Sequence, residues 1–227
     1  MPPLIDKLAD PERLAALASL RLLDTPIESS FERLTHLAAA TVNAPVCLVS
    51  LVDDRRQFFK SALGLSKVLG DRRETPLSHS FCQYVVTTEQ PLIVPNSIAD
   101  PVLCSNLAVS ELGVRAYLGV PIHSPSGHVI GSFCVIDAQA RAWRDSELDL
   151  VRRFAALVDT EIAFRASLFN REDALSRLQA LISSVALSFI ATDQRGVITH
   201  FNKGAEALLG YTSKEVVFKH SLLLAGR

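Results

Sequence analysis

A cysteine and a histidine stand close together in segment 78–82, which reads Ser-His-Ser-Phe-Cys. A histidine beside a cysteine can lower the pKa of the thiol and so produce a nucleophilic thiolate. Nearness in sequence is weak evidence for such a pair, because folding decides which side chains meet. Ser78 and Ser80 have an alternative role as N-caps of a helix through Tyr84 and Val85, and we favour that structural interpretation.

The four cysteines of the chain are widely separated, at Cys47, Cys82, Cys104 and Cys134. No two of them have the Cys-x-x-Cys spacing of a zinc site or of a thioredoxin-like redox centre. Cys47 and Cys134 lie in apolar runs typical of β-strands, where a cysteine acts as a small buried hydrophobic residue. This number and spacing of cysteines indicates a reducing, cytoplasmic environment and predicts neither a catalytic residue nor a metal site.

The charge balance excludes several classes of partner. Lysine and arginine together number 23 and aspartate and glutamate 24, which gives a net charge of −1. There is no excess of basic residues to attract phosphate backbones or anionic lipids. The N-terminal residues lack a signal-peptide pattern, and the apolar runs are far shorter than the roughly 20 residues of a membrane span. We expect a cytoplasmic protein that binds neither nucleic acid nor membrane.

The elements that must position any functional residues begin with two short helices. Asp10 and Pro11 combine an N-cap with a first-turn proline, so a helix should run from Pro11 to about Leu23. A second helix should start near Glu28, where apolar residues recur at helical spacing.

Strand patterns occupy the middle of the chain. Apolar, β-rich runs occur at 46–52, 57–60, 92–94, 116–122 and 129–136. Turn-forming residues at 53–56 and 124–127 join these runs into two hairpins, and helical pieces are predicted near 80–87 and 106–112. The pattern predicts an α+β fold, with an antiparallel sheet and helices packed on it.

A long helix is predicted from Asp145 to about Val185, because no proline or glycine interrupts this stretch. Spacings of three and four alternate along a seam in which only Glu161 and Arg171 are polar. The seam consists of Phe154, Leu157, Glu161, Phe164, Leu168, Arg171, Leu175, Leu178 and Ile182. Such a seam is typical of a two-helix coiled coil and predicts a homodimer through this helix. The alternative is an amphipathic helix packed on the sheet, which must hold near residues 148–156.

The last part of the chain has a different pattern. Residues 187–202 read as strand, glycine turn and strand, and a short helix should follow at 205–209. The remaining residues are too few for a core of their own. We therefore predict that residues 186–227 are loosely ordered or covered by a partner, whereas residues 12–165 form a stable unit.

Five ordered segments within residues 12–165 resemble the GAF domains of bacterial sensor proteins. They are 22–26 (LLDTP), 49–60 (VSLVDDRRQFFK), 80–82 (SFC), 117–122 (YLGVPI) and 131–137 (GSFCVID). The resemblance implies a GAF-like antiparallel sheet with helices packed on it, followed by a long linker helix.

A second resemblance, to the opening of a PAS domain, covers residues 178–220. It rests on segments 191–193 (ATD), 196–198 (GVI), 201–202 (FN), 205–211 (AEALLGY) and 213–215 (SKE). The later strands that build the ligand cavity of a PAS domain have no counterpart here, so we expect an incomplete PAS-like α/β unit. The predicted domains are a GAF sensor domain with its N-terminal helices at 1–165, a linker helix at 166–185 and a truncated PAS domain at 186–227.

The GAF resemblance also implies candidate ligand-binding residues. Arg115 and Tyr117 enter the strand that borders the cavity in this family, and Asp137 closes the strand opposite. Arginine offers a forked donor to a carboxylate or phosphate, and tyrosine an aromatic wall with one polar tip. With Cys82 they form our predicted ligand-binding set, for a small molecule of unidentified type and with no cofactor specified. Alternatively, Tyr117 belongs to the core and Arg115 pairs with Glu111 or Asp137.

The resemblance implies a regulatory module rather than an enzyme. Its role would be to pass a change induced by a ligand or partner through a dimeric linker helix to an output domain or downstream signalling protein. The sequence lacks a His-Glu-hydrophobic-Arg phosphoacceptor box, a glycine-rich nucleotide lid and a Gly-Gly-Asp-Glu-Phe run. One alternative is an N-terminal fragment of a sensor histidine kinase or diguanylate cyclase. Another is a GAF-type free thiol reductase, which requires a reactive cysteine pair.

Overall fold

The computed structural model describes residues 7–184 and 188–226. The chain divides into two compact units, Met1–Ala166 and Ser167–Arg227. In those described ranges no helix is both long enough and apolar enough to cross a lipid bilayer.

The strands of the first unit are β1 (Val46–Val52), β2 (Arg56–Leu63), β3 (Glu74–Pro76), β4 (Leu92–Val94), β5 (Ala116–His123) and β6 (Val129–Asp137). They form one antiparallel sheet in the order β3-β2-β1-β6-β5-β4. Both predicted hairpins are present, as the pairs β1–β2 and β5–β6. Strand β3 was not predicted, because three residues that include a proline carry no alternating pattern.

Strand β1 explains why the sheet is the middle layer of this unit. Cys47, Val49 and Leu51 belong to one buried apolar cluster, and Leu48 and Val52 belong to another. Successive side chains on a strand point to opposite faces, so both faces of the sheet are covered. We call the side of Val49 the helix face and the side of Leu48 the cavity face.

Longer helices cover the helix face. They are α1 (Pro11–Ser19), α2 (Ser29–Val42) and the first part of α6 (Asp145–Ser184). Phe31 and Ala38 of α2 and Val158 of α6 have no exposed surface in this cluster. Close packing of this kind is the main source of stability in a folded domain.

Helix α1 begins as predicted but ends early. The Asp10 carboxylate accepts hydrogen bonds from two backbone N–H groups of the first turn, at 2.8 and 3.3 Å. The helix ends at Ser19 and not near Leu23, because Arg21 adopts a left-handed φ of 50°. This turn directs Leu22 into the core, where it is 1% exposed.

Short elements cover the cavity face. They are α3 (Lys67–Arg72), a 3-10 turn (Leu77–His79), α4 (Cys82–Thr88) and α5 (Leu107–Ser110). Helices α4 and α5 correspond to the two helical pieces predicted near 80–87 and 106–112, and α3 was not predicted. The N-cap residue of α4 is Phe81 and not Ser78 or Ser80 as predicted, although the Ser80 hydroxyl accepts a hydrogen bond from the backbone N–H of Gln83 at 3.1 Å.

Helix α6 confirms the long C-terminal helix predicted from Asp145, although Val185 and the side chain of Ile182 lie outside the described residues. Phe154, the first residue of the predicted seam, stacks on Phe133 with ring centroids 6.1 Å apart. It is buried in the first unit, so any seam open to a second helix must begin beyond it.

The second unit consists of β7 (Ile190–Thr192), β8 (Ile198–Phe201), α7 (Lys203–Leu209), α8 (Ser213–Val216) and a 3-10 turn (Ser221–Gly226). The predicted strand, turn, strand and helix are present, and α8 was not predicted. Ile198, Ala205 and Val216 are fully buried in a small cluster, whereas Phe218 and Leu208 are 85% and 72% exposed.

Candidate functional site

A cavity of about 230 Å³ lies on the cavity face, between the sheet and the short elements that cover it. Its wall is formed by Val46, Leu48, Gln57, Phe59, Gly64, Leu65, Ser66, Leu69, His79, Phe81, Cys82, Ala108, Glu111, Leu112, Gly113, Val114, Tyr117, Ile136 and Ala138. Sites for drug-sized ligands enclose roughly 300–1,000 Å³. The space therefore suits a small metabolite, held mainly by apolar contacts.

Tyr117 forms part of the wall with its ring laid along the sheet. A Cβ atom added at Gly119, two residues along the strand, would come within 2.2 Å of the tyrosine hydroxyl, so glycine makes room for the ring. The hydroxyl lies 3.1 Å from Ser132 Oγ and donates to Cys82 Sγ at 3.4 Å. Burial raises the pKa of the Tyr117 phenol, which keeps the hydroxyl protonated and able to donate.

Two thiols meet beside this tyrosine. Cys82 Sγ lies 3.9 Å from Cys134 Sγ, and both residues are buried. The hydrogen bond from Cys134 lowers the pKa of the Cys82 thiol to about 7, although burial opposes this. Burial raises the pKa of the Cys134 thiol well above its ordinary value. Of the pair, Cys82 is the one on the cavity wall.

Gln57 links the strands behind the cavity. Its Nε2 donates to Thr75 Oγ1 at 2.7 Å, and its Oε1 accepts from Ser80 Oγ at 2.6 Å and from Ser50 Oγ at 3.4 Å. Within the described parts of the chain, no buried side-chain nitrogen or oxygen lacks a hydrogen-bond partner. The polar groups at the back of the cavity are therefore already paired with one another, and a ligand would meet polar groups chiefly at the rim.

The rim carries a contact between a histidine and a carboxylate. His79 Nε2 lies 3.0 Å from Glu111 Oε2, and both residues line the cavity. Ser78 Oγ lies 2.9 Å from the other ring nitrogen of His79. His79 thus contacts a serine and a carboxylate, while Cys82 contacts Tyr117 and Cys134. The structure does not pair this histidine with the cysteine.

Of the four predicted ligand-binding residues, the structure brings Cys82 and Tyr117 together on the cavity wall. Arg115 and Asp137 are not among the residues that line it. Arg115 Nη1 donates to the carbonyl oxygens of Val109 and Val114, at 2.8 and 3.3 Å. It therefore holds the loop between α5 and β5. The ligand-binding role of the four residues stays a prediction.

The two predicted ion-pair alternatives for Arg115 are not seen among the described residues. Glu111 pairs with His79, and the Asp137 carboxylate lies 3.6 Å from Arg141. Arg115 meets Asp137 through the backbone instead, where its N–H donates to the Asp137 carbonyl at 3.0 Å.

A charged cluster on the helix face was not predicted from the sequence. Lys60 has no exposed surface, and its ammonium forms an ion pair with Glu28 and donates to Thr25 Oγ1 at 2.6 Å. It also lies 5.6 Å from the centroid of the Phe31 ring. The second carboxylate oxygen of Glu28 accepts from Arg165 Nε of α6 at 3.0 Å. Glu28 therefore joins the sheet to the long helix.

Strand alternation and a β-bulge together define this position: Phe59 faces the cavity, so Lys60, the next residue, faces the helices. Val49 pairs with Ser61 and Ser50 pairs with Phe59, so Lys60 is the extra residue in β2. The available sequence signal was a lysine inside an apolar run, which a hairpin normally directs to solvent. The carboxylate that compensates this lysine comes from Glu28, 32 residues earlier, and local sequence does not show that contact.

The model of the GAF domain family matches residues 26–162 of this chain. The chain is 32% identical over 196 residues to a cyclic di-GMP phosphodiesterase from Pseudomonas aeruginosa, and the match covers 80% of this chain and 32% of that protein. The matched part thus spans about a third of the length of this relative.

Two solved structures share the fold. The GAF domain of an Acinetobacter phosphoenolpyruvate-protein phosphotransferase has a TM-score of 0.52 at 17% identity, and the match covers 70% of this chain and 98% of that one. A domain from a Sinorhizobium meliloti protein named as a two-component sensor histidine kinase has a TM-score of 0.51 at 20% identity, with 66% and 99% covered.

Proposed function

Because this chain belongs to the GAF domain family, we propose that it is a sensory regulatory module in which a small molecule in the cavity changes how the first unit holds helix α6. The observation that carries the proposal is the position of strand β2. Gln57 and Phe59 line the cavity on one face, and Lys60, the next residue, holds Glu28 on the other. A ligand that moves β2 therefore acts directly on the contact between Glu28 and Arg165.

The cavity limits the class of ligand. A space of about 230 Å³ with a largely apolar wall suits a compact metabolite that presents one polar group to His79 and Glu111 at the rim. A cyclic dinucleotide is larger than that space. If the chain works in cyclic di-GMP turnover, as the name of its Pseudomonas relative suggests, that nucleotide is the substrate of an output domain and not the ligand of this cavity.

Signal transmission requires two states of the helix. The ligand must prefer one arrangement of Arg165 over the other, because equal affinity for both would shift nothing. Coupling free energies of this kind are typically about 1–3 kcal/mol. The Glu28 carboxylate, shared between Lys60 and Arg165, is the contact that we expect to differ between the two states.

The helix beyond the first unit is proposed to pair with a second copy of the chain. Leu168, Leu175 and Leu178 keep coiled-coil spacing and are each about half exposed, at 46%, 53% and 56%. Leu175→Glu should convert a dimer into a monomer in light scattering, whereas Asn170→Glu, beside the seam, should not. A monomeric wild-type chain at every concentration would rule out this part of the proposal.

The alternative is that these residues are the sensory part of an enzyme whose catalytic domain lies outside them. The 32% identity to a phosphodiesterase over about a third of its length supports this, and so does the PAS-like pattern of the second unit. The output domain would then be one for cyclic di-GMP turnover, or a histidine kinase. In either case the module would act in the cytoplasm, without contact to nucleic acid or membrane.

Thermal-shift screening of the chain against amino acids, nucleobases and short carboxylic acids tests the binding part. We expect at least one compound to raise the Tm of the wild type and of Leu107→Phe but not of Ala108→Phe. Ala108 lines the cavity and is buried, whereas the neighbouring Leu107 is 38% exposed and does not line it. Equal shifts in the two variants would place the ligand elsewhere.

The sole tryptophan provides a readout of transmission. Trp143 lies just before α6, donates its indole N–H to the Val94 carbonyl at 3.2 Å and stacks under the Arg141 guanidinium at 4.5 Å. A bound ligand should change its fluorescence in the wild type and less in Glu28→Gln. If a ligand binds without any change in Trp143 fluorescence or in the amide hydrogen exchange of α6, the module transmits no signal and the proposal is wrong.

A further inference from the structure

Cys82 and Cys134 contact each other directly, and this contact does not require the ligand proposed for the cavity. Their sulfurs lie 3.9 Å apart, one on the first residue of α4 and the other in the central strand β6. The other two cysteines do not share this environment. Cys47 belongs to the cluster on the helix face, and Cys104 is exposed.

The two sulfurs can reach bonding distance with a small movement of one side. A disulfide holds its sulfurs at about 2.05 Å, so they must approach by about 2 Å. Cys134 cannot move far, because its strand is paired to Leu48 on one side and to Gly119 on the other. Cys82 begins a seven-residue helix that lies next to a cavity, so α4 is the element able to shift.

Cys82 also has the surroundings of a reactive thiol. Buried thiols in apolar surroundings are normally inert, because a thiolate there lacks solvation. Cys82 receives a hydrogen bond from the Tyr117 hydroxyl at 3.4 Å and lines the cavity, which is the route by which we expect a small oxidant to approach it. Hydrogen bonds to the charged form favour the thiolate, which is the nucleophile.

We propose that Cys82 and Cys134 are a redox-sensitive dithiol that a hydroperoxide oxidises to a disulfide inside the first unit. The Cys82 thiolate attacks one peroxide oxygen, the O–O bond breaks, and the leaving oxygen takes a proton to depart as water or an alcohol. Cys82 is then a sulfenic acid. The Cys134 sulfur loses its proton and attacks the Cys82 sulfur. The S–O bond breaks and the departing hydroxide leaves with a proton as water. The two thiols supply the two electrons that reduce the peroxide.

Disulfide formation would alter the cavity directly. Cys82 would move away from the Tyr117 hydroxyl toward β6, and the start of α4 would follow it. Because Phe81 and Cys82 both belong to the cavity wall, the oxidised protein would present a cavity of different shape. A thiol reductant would reverse the change.

Peptide mapping tests the proposal on the intact chain. Reduced protein is treated with hydrogen peroxide, the remaining thiols are alkylated, and the digest is analysed by mass spectrometry. We expect loss of two alkylatable thiols per chain and one linked peptide pair containing Cys82 and Cys134, restored by dithiothreitol. Cys47 and Cys104 should remain fully alkylated.

Variants separate the steps. In Cys134→Ser, oxidation should stop at a Cys82 sulfenic acid that dimedone traps, and in Cys82→Ser neither product should form at Cys134. Cys104→Ser should behave as the wild type. The peptide mapping of the wild-type chain tests the proposal even if one of these variants fails to fold. A native chain in which both thiols stay alkylatable, or one that yields only intermolecular links through Cys104, would overturn the proposal.

Discussion

The two faces of the central sheet differ in how completely they are filled. On the helix face, long helices bury Ala38, Phe133 and Val158 without exposed surface, whereas the short elements of the cavity face leave about 230 Å³ open. The same strands build both faces, so the difference lies in the elements that cover them. One face holds the domain together, and the other has room for a ligand.

The polar groups of the two faces differ in kind as well. The helix face holds charged groups, Lys60, Glu28 and Arg165, each with defined partners. Neutral groups lie at the back of the cavity face, chiefly an amide, hydroxyls and two thiols. A buried charge left without its partner costs more than a neutral hydrogen bond left unmade. This contrast leads to four predictions, given from the largest expected effect to the smallest.

Removing the charge of Glu28 should have the largest effect. Glu28→Gln leaves the buried Lys60 ammonium without its anion and weakens the Arg165 contact, which should cost about 3 kcal/mol in the free energy of unfolding. Burial already lowers the pKa of Lys60, which is consistent with an environment unfavourable to an uncompensated charge. Urea unfolding followed by Trp143 fluorescence measures the change in the first unit.

The control for this prediction is the double variant Glu28→Gln with Lys60→Met. It removes the charge that Glu28→Gln leaves behind, so it should be more stable than Glu28→Gln alone. A loss below about 1 kcal/mol for Glu28→Gln would mean that Lys60 is solvated, and the contrast between the two faces would then fail.

A matched pair of alanines compares the packing of the faces directly. Ala38 of α2 and Ala108 of α5 are both buried on helices that cover the sheet, Ala38 on the helix face and Ala108 at the cavity. Ala38→Leu should cost about 1–3 kcal/mol through overpacking. Ala108→Leu has space to fill and should change the free energy of unfolding by less than about 1 kcal/mol, or raise it.

Equal losses in these two variants, measured by the same urea titration, would mean that the cavity closes in solution. A larger loss in Ala108→Leu than in Ala38→Leu would reverse the assignment of the faces.

Much of the helix face was predictable from sequence. The strand runs, the second helix and the long helix α6 follow from apolar periodicity, and the Asp10 cap placed the start of α1. The cavity face was harder, because its short elements carry little periodicity. The early end of α1 at Ser19 depends on the left-handed turn at Arg21, a residue type that gives no local warning.

The candidate site was predictable only in part. The resemblance to GAF domains led to four predicted residues, of which the structure brings Tyr117 and Cys82 together on the cavity wall, while Arg115 and Asp137 do not line this cavity. Strand alternation could have placed Ser132 and Cys134 on the face of Tyr117. The contact between Cys134 and Cys82 depends on how α4 sits on the sheet, and local sequence does not determine that.

Tyr117→Phe should have a moderate effect on stability and a specific effect on Cys82. Loss of the hydroxyl removes the hydrogen bonds to Ser132 and Cys82, at a cost of about 1–2 kcal/mol. The Cys82 thiolate also loses a donor, so its pKa should rise from about 7. In the wild type, the rate of Cys82 oxidation by peroxide should fall as the pH drops through 7, because the thiolate becomes protonated. In the variant this fall should occur at higher pH, and an unchanged profile would show that Tyr117 does not influence the thiol.

The smallest effect on stability is expected at the rim of the cavity. Glu111 is 58% exposed where it contacts His79, and exposed polar or charged contacts of this kind contribute about 0–1 kcal/mol because water and salt screen them. Glu111→Gln should therefore leave the urea midpoint of the first unit nearly unchanged. It also removes a charge from the cavity lining, so the affinity for any ligand found by thermal-shift screening should change more than the stability does. The control is Glu89→Gln, which removes another exposed carboxylate, paired with Lys7 and outside the lining of this cavity. Equal ligand affinities in the two variants would show that the rim does not contact the ligand, and a large loss of stability in Glu111→Gln alone would make this pair part of the fold.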